Sequence, residues 1–323
     1  MKNKKIRWGI IGLGNIANNF ATDLATIEDA ELFAVASRNK EKADMFSAKF
    51  NAKKAYSSYE DLAKDPEVDA VYIATPHSFH KEHSILCLKH KKAVLCEKPF
   101  AMNFQEVKEM IAVAKENNVL LMEALWTYFL PHYNHVLDIV KSEKYGKVLK
   151  IEADFGFYLP YNIESRAFKK EVGGGTLLDI GIYPIFAALS TIGTPEKIDA
   201  KATFFENEVD SSCEMVFHYN KTKAILKSTF LKETNTEAIF TCENGIIKIN
   251  TMFHMPSTVT IIVNEKEETL DFNYSTIGYD FEIKHFNQLI REYKKESDIM
   301  TFEFSENLIK TLDSVREIIG LEY

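Results

Sequence analysis

Residues 6–17 read Ile-Arg-Trp-Gly-Ile-Ile-Gly-Leu-Gly-Asn-Ile-Ala, a short apolar run followed by a glycine-rich turn. The apolar run predicts a buried strand, and the residues after the turn predict a helix. Gly12 permits the tight turn, Gly14 lets the backbone approach a pyrophosphate, and small Ala17 allows close helix–strand packing. The sequence therefore predicts a dinucleotide site at the free N–H groups of the helix N-terminus. Its predicted contacts are Gly12, Gly14, Asn15 and Ile16.

The first third of the chain alternates strand-like and helix-like segments, and the pattern changes near residue 124. Such alternation predicts a Rossmann fold, a doubly wound parallel sheet with helices on both faces. Mostly strand-like segments then run from 197 to 272, with Asn244-Gly245 indicating a hairpin. They predict a C-terminal α/β domain with a large open, mostly antiparallel sheet. We predict an NAD(P)-binding domain over residues 1–123 and a substrate-binding and dimerisation domain over residues 124–323.

Composition narrows the class of protein. The 323 residues include 39 Lys and Arg against 47 Asp and Glu, a net charge of −8, which argues against a general nucleic-acid surface. The chain has no run of about 18 apolar residues, so we predict no membrane-spanning segment. The four cysteines form no C-x-x-C pair, which favours free thiols and a cytoplasmic location.

The end of the second predicted strand distinguishes the two nicotinamide cofactors. A carboxylate at this position would bind the ribose 2′-hydroxyl of NAD, but the chain reads Ser37-Arg38-Asn39. Arg38 can pair with a 2′-phosphate and stack on adenine, and Ser37 adds a hydroxyl donor. We therefore predict NADP in preference to NAD. The alternative is that Arg38 is only a solvated surface side chain.

The segment after the third apolar strand reads Thr75-Pro76-His77-Ser78-Phe79-His80. The carboxyl end of such a strand is where a cofactor lies, so Thr75, Pro76, His77 and His80 are predicted cofactor contacts. The two histidines share helical spacings with His83 and His90, which raises the alternative of a metal site. No carboxylate or cysteine completes a convincing ligand set, and we predict no metal.

Two further segments carry residues suited to proton transfer, Cys96-Glu97-Lys98-Pro99 and the stretch over 173–184. Asp179 and Tyr183 are four residues apart, so an α-helix would put them on one face. The pKa of a free tyrosine is about 10, and an ammonium nearby would favour the phenolate. Lys98 and Tyr183 are therefore a candidate acid–base pair. The alternatives are a core tyrosine, a surface lysine and a helix-face carboxylate.

With these motifs the chain resembles the glucose–fructose oxidoreductase/inositol dehydrogenase (Gfo/Idh/MocA) family of NAD(P)-dependent enzymes. The resemblance rests on GLGNIA at 12–17, ATPHSFH at 74–80, CEKP at 96–99 and GGGTLLDIGIYP at 173–184. Within that family it is closest to the dimeric dihydrodiol dehydrogenases, which also act as NADP-dependent D-xylose 1-dehydrogenases. MEALWTYF at 122–129 and SSYEDLAKDPEVDAVYIAT at 57–75 carry this closer likeness.

The resemblance implies roles for individual residues. Lys98 would lie by the nicotinamide and substrate, with Glu97 also at the cofactor. Tyr183 would be the acid/base, Asp179 would hold the substrate, and Trp126 would line the substrate pocket. Many relatives have histidine at the position of Tyr183, which argues against an inositol dehydrogenase. The resemblance also implies a homodimer formed through the C-terminal sheet.

The predicted activity is hydride transfer between NADP and a sugar or cyclic diol, as in an aldose 1-dehydrogenase or a dihydrodiol dehydrogenase. Two alternatives stay open. One keeps the cofactor and changes the substrate to an inositol or another carbohydrate. The other is a regulator that binds NADP without turnover, against which the presence of Lys98, Asp179 and Tyr183 argues.

Overall fold

The computed structural model describes residues 4–323, which form two compact units. The first contains the described residues through Trp126 together with Ser275–Glu306, and the second contains Thr127–Tyr274 together with Asn307–Tyr323. In chain order the elements are β1 (Ile6–Ile11), α1 (Asn15–Leu24), β2 (Ala30–Ala36), α2 (Lys40–Phe50), β3 (Lys54–Tyr56), α3 (Tyr59–Lys64), β4 (Ala70–Ile73), α4 (His80–Lys89), β5 (Ala93–Glu97), α5 (Phe104–Asn117), β6 (Leu121–Ala124), α6 (Pro131–Lys141), β7 (Val148–Gly156), α7 (Ile182–Ile192), β8 (Lys197–Phe204), β9 (Asp210–His218), β10 (Lys223–Thr229), β11 (Ala238–Cys242), β12 (Gly245–Ile249), β13 (Val259–Val263), β14 (Lys266–Leu270), α8 (Tyr279–Arg291) and α9 (Phe302–Ile319).

The first unit is built on a six-stranded parallel sheet in the order β3-β2-β1-β4-β5-β6. Successive strand residues point to opposite faces, and both Val71 and Tyr72 of β4 are fully buried, so both faces of the sheet are covered. The predicted Rossmann sheet is confirmed. Its strand order reverses between β1 and β4, and a ligand of such a sheet binds outside the carboxyl ends of the strands at that reversal.

Residues 275–306 complete the first unit from far along the chain. The buried carboxylate of Asp23 on α1 accepts the N–H groups of Ile277, Gly278 and Tyr279, at 3.1, 2.8 and 2.8 Å. It thereby satisfies donors at the start of α8, which have no partner within the helix itself. The indole N–H of Trp8 also donates to Asn287 on α8. The predicted boundary after residue 123 assigns residues 275–306 to the second domain, whereas these contacts place them in the first unit.

The second unit contains an eight-stranded sheet in the order β14-β13-β12-β11-β7-β10-β9-β8. Its neighbouring strands are antiparallel except for the parallel pair of β7 and β10, as the prediction of an open, mostly antiparallel sheet requires. The hairpin predicted at Asn244-Gly245 joins β11 to β12. Along β9, Cys213, Met215 and Phe217 are buried, and the residues between them are half-buried. One face therefore packs inward, and α7 lies against β7 and β10.

The stretch Lys170–Ile192 is the candidate membrane span of residues 4–323, judged by length and apolar composition alone. However, 89% of its most apolar window is buried within the protein. A core helix meets the same criteria, and the second unit uses this stretch as its core. The four cysteines, Cys87, Cys96, Cys213 and Cys242, are buried free thiols.

Candidate active site

The glycine turn between β1 and α1 forms an open cradle. Gly12 has φ of +91°, and a Cβ there would lie 2.6 Å from the backbone of Ala74, so a side chain is excluded. Gly14 is the N-cap of α1, and a Cβ built on it meets nothing within 4 Å. Asn15 and Ile16 follow as exposed residues in the first turn of the helix. Free N–H groups at an open helix N-terminus suit a pyrophosphate, so these residues fit a dinucleotide.

The end of β2 presents a cation without a carboxylate. Ser37 is buried, and its Oγ accepts the N–H of Asn39 at 3.2 Å. Arg38 is exposed, and its guanidinium carbon lies 5.8 Å from the centroid of the Phe79 ring. The positive charge of Arg38 also lowers the pKa of His83, after the larger effect of burial. Arg38 thus stands beside the loop that follows β4, on the carboxyl edge of the sheet.

The loop after β4 is fixed by histidine hydrogen bonds. The ring of His80 is fully buried, with Nδ1 2.8 Å from the carbonyl oxygen of Pro99 and Nε2 2.8 Å from that of Thr75. Burial lowers the pKa of His80 to about 4, and the two carbonyl oxygens act in the opposite direction. The Thr75 hydroxyl contacts Nδ1 of His83 at 3.0 Å. His80 therefore links the loop after β4 to the loop after β5, and its predicted contact with the cofactor stays a prediction.

Pro76 and His77 lie between these anchors. Pro76 precedes a 3₁₀ turn over His77–Phe79, and the His77 side chain is buried. Residues 4–323 hold no group of three or more His, Cys, Asp or Glu side chains placed to bind a metal ion.

The loop after β5 carries Lys98. The Lys98-Pro99 peptide bond is cis, and the Lys98 side chain is partly exposed. One carboxylate oxygen of Glu97 accepts the N–H of Lys98 at 3.2 Å, and the other accepts the hydroxyl of Tyr72. The buried carboxyl of Glu123 accepts the N–H of Phe100 at 3.0 Å. Burial raises the pKa of Glu123 to about 7, against the opposing effect of that bond. The loop that carries Lys98 is thus fixed by Glu97 at the Lys98 N–H and by Glu123 at the Phe100 N–H.

Trp126 ends the first of the two chain segments that form the first unit, and it is 7% exposed. Its ring stacks on that of Tyr279, with centroids 4.4 Å apart and planes 17° from parallel. This is a packing contact, and the sequence alone does not indicate its partner, because Tyr279 lies more than a hundred residues away. The predicted role of Trp126 in substrate binding stays a prediction.

Asp179 lies in a π-helix, Leu177–Gly181, that leads directly into α7. The expectation of one continuous α-helix through Asp179 and Tyr183 is therefore wrong. A π turn places hydrogen bonds five residues apart, and such turns frequently occur at functional sites. One carboxylate oxygen of Asp179 is 3.7 Å from the guanidinium of Arg166, the two side chains being 20% and 53% exposed. This is a partly exposed ion pair of modest strength.

Tyr183 lies in the first turn of α7 within an aromatic cluster of the second unit. Its ring centroid is 4.8 Å from that of His254 and 5.7 Å from that of Phe155, and the latter two rings stack at 4.2 Å. The backbone oxygen of His254 accepts the Thr127 hydroxyl at 2.6 Å. His254 was not among the predicted site residues, because the segment around Phe253-His254 carries no recognisable motif.

The predicted residues thus fall into two groups. The first unit gathers the glycine turn, Ser37, Arg38, the loop after β4 and Lys98 at the carboxyl edge of one sheet. The second unit gathers Asp179 and Tyr183 at the π-helix and the start of α7, with His254 beside Tyr183.

Comparisons with known proteins match two consecutive stretches of the chain to one family. Residues 6–125 match the GFO/IDH/MocA family model, described as an oxidoreductase family with an NAD-binding Rossmann fold. Residues 133–248 match the GFO/IDH/MocA C-terminal domain.

Individual relatives extend over nearly the whole chain. The trans-1,2-dihydrobenzene-1,2-diol dehydrogenase of Xenopus tropicalis is 38% identical, covering 98% of this chain and 99% of the relative. The scyllo-inositol 2-dehydrogenase (NADP(+)) IolU of Bacillus subtilis is 36% identical, covering 98% of each. The crystal structure of KijD10, a 3-ketoreductase from Actinomadura kijaniata in complex with NADP and TDP-benzene, has a TM-score of 0.89 and 26% identity, covering 98% of each chain. The chain belongs to the GFO/IDH/MocA family of oxidoreductases and is a dehydrogenase with a Rossmann domain for a nicotinamide dinucleotide.

Proposed function

We propose that the protein transfers a hydride between NADP and a hydroxyl-bearing carbon of a sugar or cyclic diol, as an aldose 1-dehydrogenase or trans-dihydrodiol dehydrogenase does. The observation that carries this proposal is Tyr183 in the first turn of α7, two residues beyond the π turn that holds Asp179. A phenol next to a carboxylate-bearing turn suits an alcohol substrate, since one group can move the hydroxyl proton while the other holds a neighbouring hydroxyl.

In the proposed reaction the cofactor exchanges the hydride, and protein side chains move the proton and hold the substrate. The bound nicotinamide supplies the hydride acceptor or donor. During oxidation, Tyr183 accepts the substrate hydroxyl proton at its phenolic oxygen while the hydride leaves the same carbon. Lys98 favours the ionised phenol and donates to the substrate oxygen. Asp179, already paired with Arg166, accepts a hydrogen bond from a second substrate hydroxyl.

The test is a substrate panel with purified protein and NADP. Reduction of the nicotinamide, followed by its absorbance, should occur with trans-dihydrodiols or with aldoses such as D-xylose. Aldose oxidation is expected to yield the lactone, and dihydrodiol oxidation the catechol. Cofactor binding without turnover of any sugar, inositol or diol would instead support the regulator that senses NADP.

An inositol or another carbohydrate is the second candidate substrate. It is favoured by the 36% identical relative that is named a scyllo-inositol 2-dehydrogenase. Including scyllo- and myo-inositol in the panel separates the two, since the ratio of kcat/KM values between inositols and diols ranks the substrate classes directly.

NADP preference is expected to depend on Arg38. A charge-assisted bond from its guanidinium to the 2′-phosphate is worth about 1.5–3 kcal/mol, or about 10- to 150-fold in affinity. Arg38→Ala should therefore weaken NADP binding by that factor and leave NAD binding nearly unchanged. Fluorescence titration with both cofactors measures the effect, and Lys40→Ala, an exposed lysine paired with Asp44, is the matched control. Wild-type protein that binds NAD more tightly than NADP would refute the proposal.

We also propose a homodimer formed through the open face of the second sheet. The half-buried or exposed residues on this face mix apolar side chains with charged ones. They include Val216, Ile225, Ile239, Ile246 and Ile262 beside the Lys201–Glu214–Lys227 pairs. A contiguous patch that is partly apolar suits a symmetric interface between copies.

Light scattering at micromolar concentration should give the mass of a dimer. Ile225 is 39% exposed near the middle of this face, so Ile225→Glu should yield a folded monomer by burying a charge at the interface. Met45→Glu, at a 68% exposed position of α2 in the first unit, is the matched control and should remain dimeric. A wild-type monomer would exclude this assembly.

A cytoplasmic location is proposed on the cysteines alone. All four are buried free thiols, the state maintained by a reducing compartment.

A further inference from the structure

Asp210 is a fully buried carboxylate at the start of β9, beneath the π-helix that carries Asp179. Its Oδ2 accepts the Thr176 hydroxyl at 2.6 Å and the Leu177 N–H at 2.8 Å. The Leu177 N–H is the first donor of the π-helix and has no partner within it. A negative charge at this end is also favoured by the helix dipole. Asp210 therefore caps the π-helix from a strand far away in the sequence.

The backbone before the π-helix is shaped to reach this carboxylate. Gly175 has φ of +103°, and a Cβ built there would lie 2.0 Å from Oδ1 of Asp210. Only glycine allows the chain both this conformation and this approach. The far end of the π-helix also lies close to a buried polar side chain, since a Cβ on Gly181 would lie 3.0 Å from Oγ of Ser228.

The Thr176 hydroxyl links Ser228 and Asp210 in one chain of hydrogen bonds. The Thr176 hydroxyl is 3.0 Å from Oγ of Ser228 and donates to Asp210. We define Asp210, Thr176 and Ser228 as the buried polar cluster. Both ends of the π-helix lie against this cluster. Asp179 lies between those ends, and Tyr183 lies two residues beyond the second.

Tyr323, Cys213 and Asp179 are the titratable groups that interact with this cluster or with each other next to it. The guanidinium carbon of Arg316 lies 4.7 Å from the centroid of the Tyr323 ring. Burial raises the pKa of both the Tyr323 phenol and the Cys213 thiol, and the charge of Asp210 raises them further. Asp179 acts on Tyr323 in the same direction as Asp210. Burial raises the pKa of Asp210 itself to about 6, against the opposing hydrogen bonds from Thr176 and Leu177.

We propose that Asp210 is a positioning residue of the active site: through Thr176 and Leu177 it fixes the π-helical turn that presents Asp179 to the substrate. The proposal rests on the proposed function of Asp179. Asp210 does not itself touch the substrate in this scheme. A displacement of about 1 Å at a reacting group can cost about 100-fold in rate, so loss of the cap should be visible in kinetics.

The decisive experiment is a double-mutant cycle with Asp210→Asn and Asp179→Ala, measured as kcat/KM for the best substrate. Asp210→Asn keeps the size of the side chain and removes its charge, and we expect a loss of about 10- to 100-fold. If Asp210 acts through Asp179, the same change in the Asp179→Ala background should cost almost nothing. Equal losses in both backgrounds would overturn the proposal while leaving the proposed function intact. Asp65→Asn, another buried and hydrogen-bonded carboxylate, is the control with unchanged kcat/KM.

Thr176 gives an independent pair of variants if Asp210→Asn folds poorly. Thr176→Ser keeps the hydroxyl and should retain activity, whereas Thr176→Val keeps the shape, removes the hydroxyl and should behave like Asp210→Asn. Equal activity of the two Thr176 variants would contradict the proposal.

The pH profile adds a readout that a purely structural role would not move. Protonation of Asp210 removes the charge that caps the helix, so wild-type kcat/KM should gain an extra decline as the pH falls through about 6. Asp210→Asn should lack that decline because it has no proton to bind. An unchanged acid limb in this variant would count against the proposal.

Amide hydrogen exchange separates this inference from the substrate assignment. In Asp210→Asn, residues 176–181 should exchange faster than in the wild type, whichever substrate the enzyme uses. Failure of every substrate in the panel with faster exchange would reject the proposed function alone. Unchanged exchange would reject the positioning role alone.

Discussion

Replacing Tyr183 by phenylalanine is expected to lower kcat by about 10²- to 10⁴-fold, the usual contribution of a positioned general acid–base group. The variant keeps the ring, and with it the packing against Phe155 and His254, so the fold should survive. Cofactor affinity should change little, because the glycine turn that fits the pyrophosphate is untouched. Steady-state turnover with NADP and the best substrate, together with fluorescence titration of the cofactor, measures both quantities.

Tyr133→Phe is the matched control for this experiment. Its buried hydroxyl also contacts the helix that carries Tyr183, at 2.7 Å from Ser190 Oγ, so the control removes a phenolic hydrogen bond from the same region. It should lower stability by about 1 kcal/mol and leave kcat unchanged. Turnover near the wild-type level in Tyr183→Phe would mean that Tyr183 is a packing residue. His254 would then be the first candidate for the acid–base group, followed by His77 and Asp179.

The Rossmann half of the molecule was predictable because its determinants are local. The apolar residues of β1 and the glycines at 12 and 14 are adjacent in the chain, so one short stretch carries the whole pattern of strand, turn and helix. Arg38 and Lys98 follow from this frame, since each comes within two residues of the end of a strand and must lie at the carboxyl edge of the sheet. The short β3 and α3 were missed, because segments of three to six residues carry too little periodicity to be recognised.

The second half of the site depends on contacts between distant residues, which periodicity does not reveal. The π-helix at Leu177–Gly181 is capped by a carboxylate 33 residues later, so the local sequence reads as an ordinary helix. His254 meets Tyr183 across an even longer separation. Similarly, α8 joins the first unit through Asp23, about 255 residues earlier. In each case a buried polar or aromatic contact decides the structure, and only the folded chain brings its partners together.

Replacing Lys98 by methionine is expected to reduce turnover by about 10²-fold or more, because it removes both a charge that favours the ionised phenol and a donor to the substrate oxygen. Methionine keeps the length and flexibility of the side chain, and the loop remains held by Glu97, Glu123 and His80. Without the cation a tyrosine ionises less readily, so the pH–rate profile for oxidation should move to higher pH. Stopped-flow or steady-state rates across pH, with cofactor titration, provide the measurement.

Lys91→Met, at an exposed lysine that contacts Asn117 shortly before β5, is the control and should keep wild-type rates. Lys98→Arg retains the charge but changes the donor geometry, so it should keep the wild-type pH profile with a lower kcat. The double variant Lys98→Met/Tyr183→Phe tests the predicted pairing. If the two residues act as a unit, the double variant should lose little more than the more damaging single variant. Fully additive losses would mean that Lys98 contacts the substrate or the cofactor independently of Tyr183. An unshifted pH profile in Lys98→Met would lead to the same conclusion.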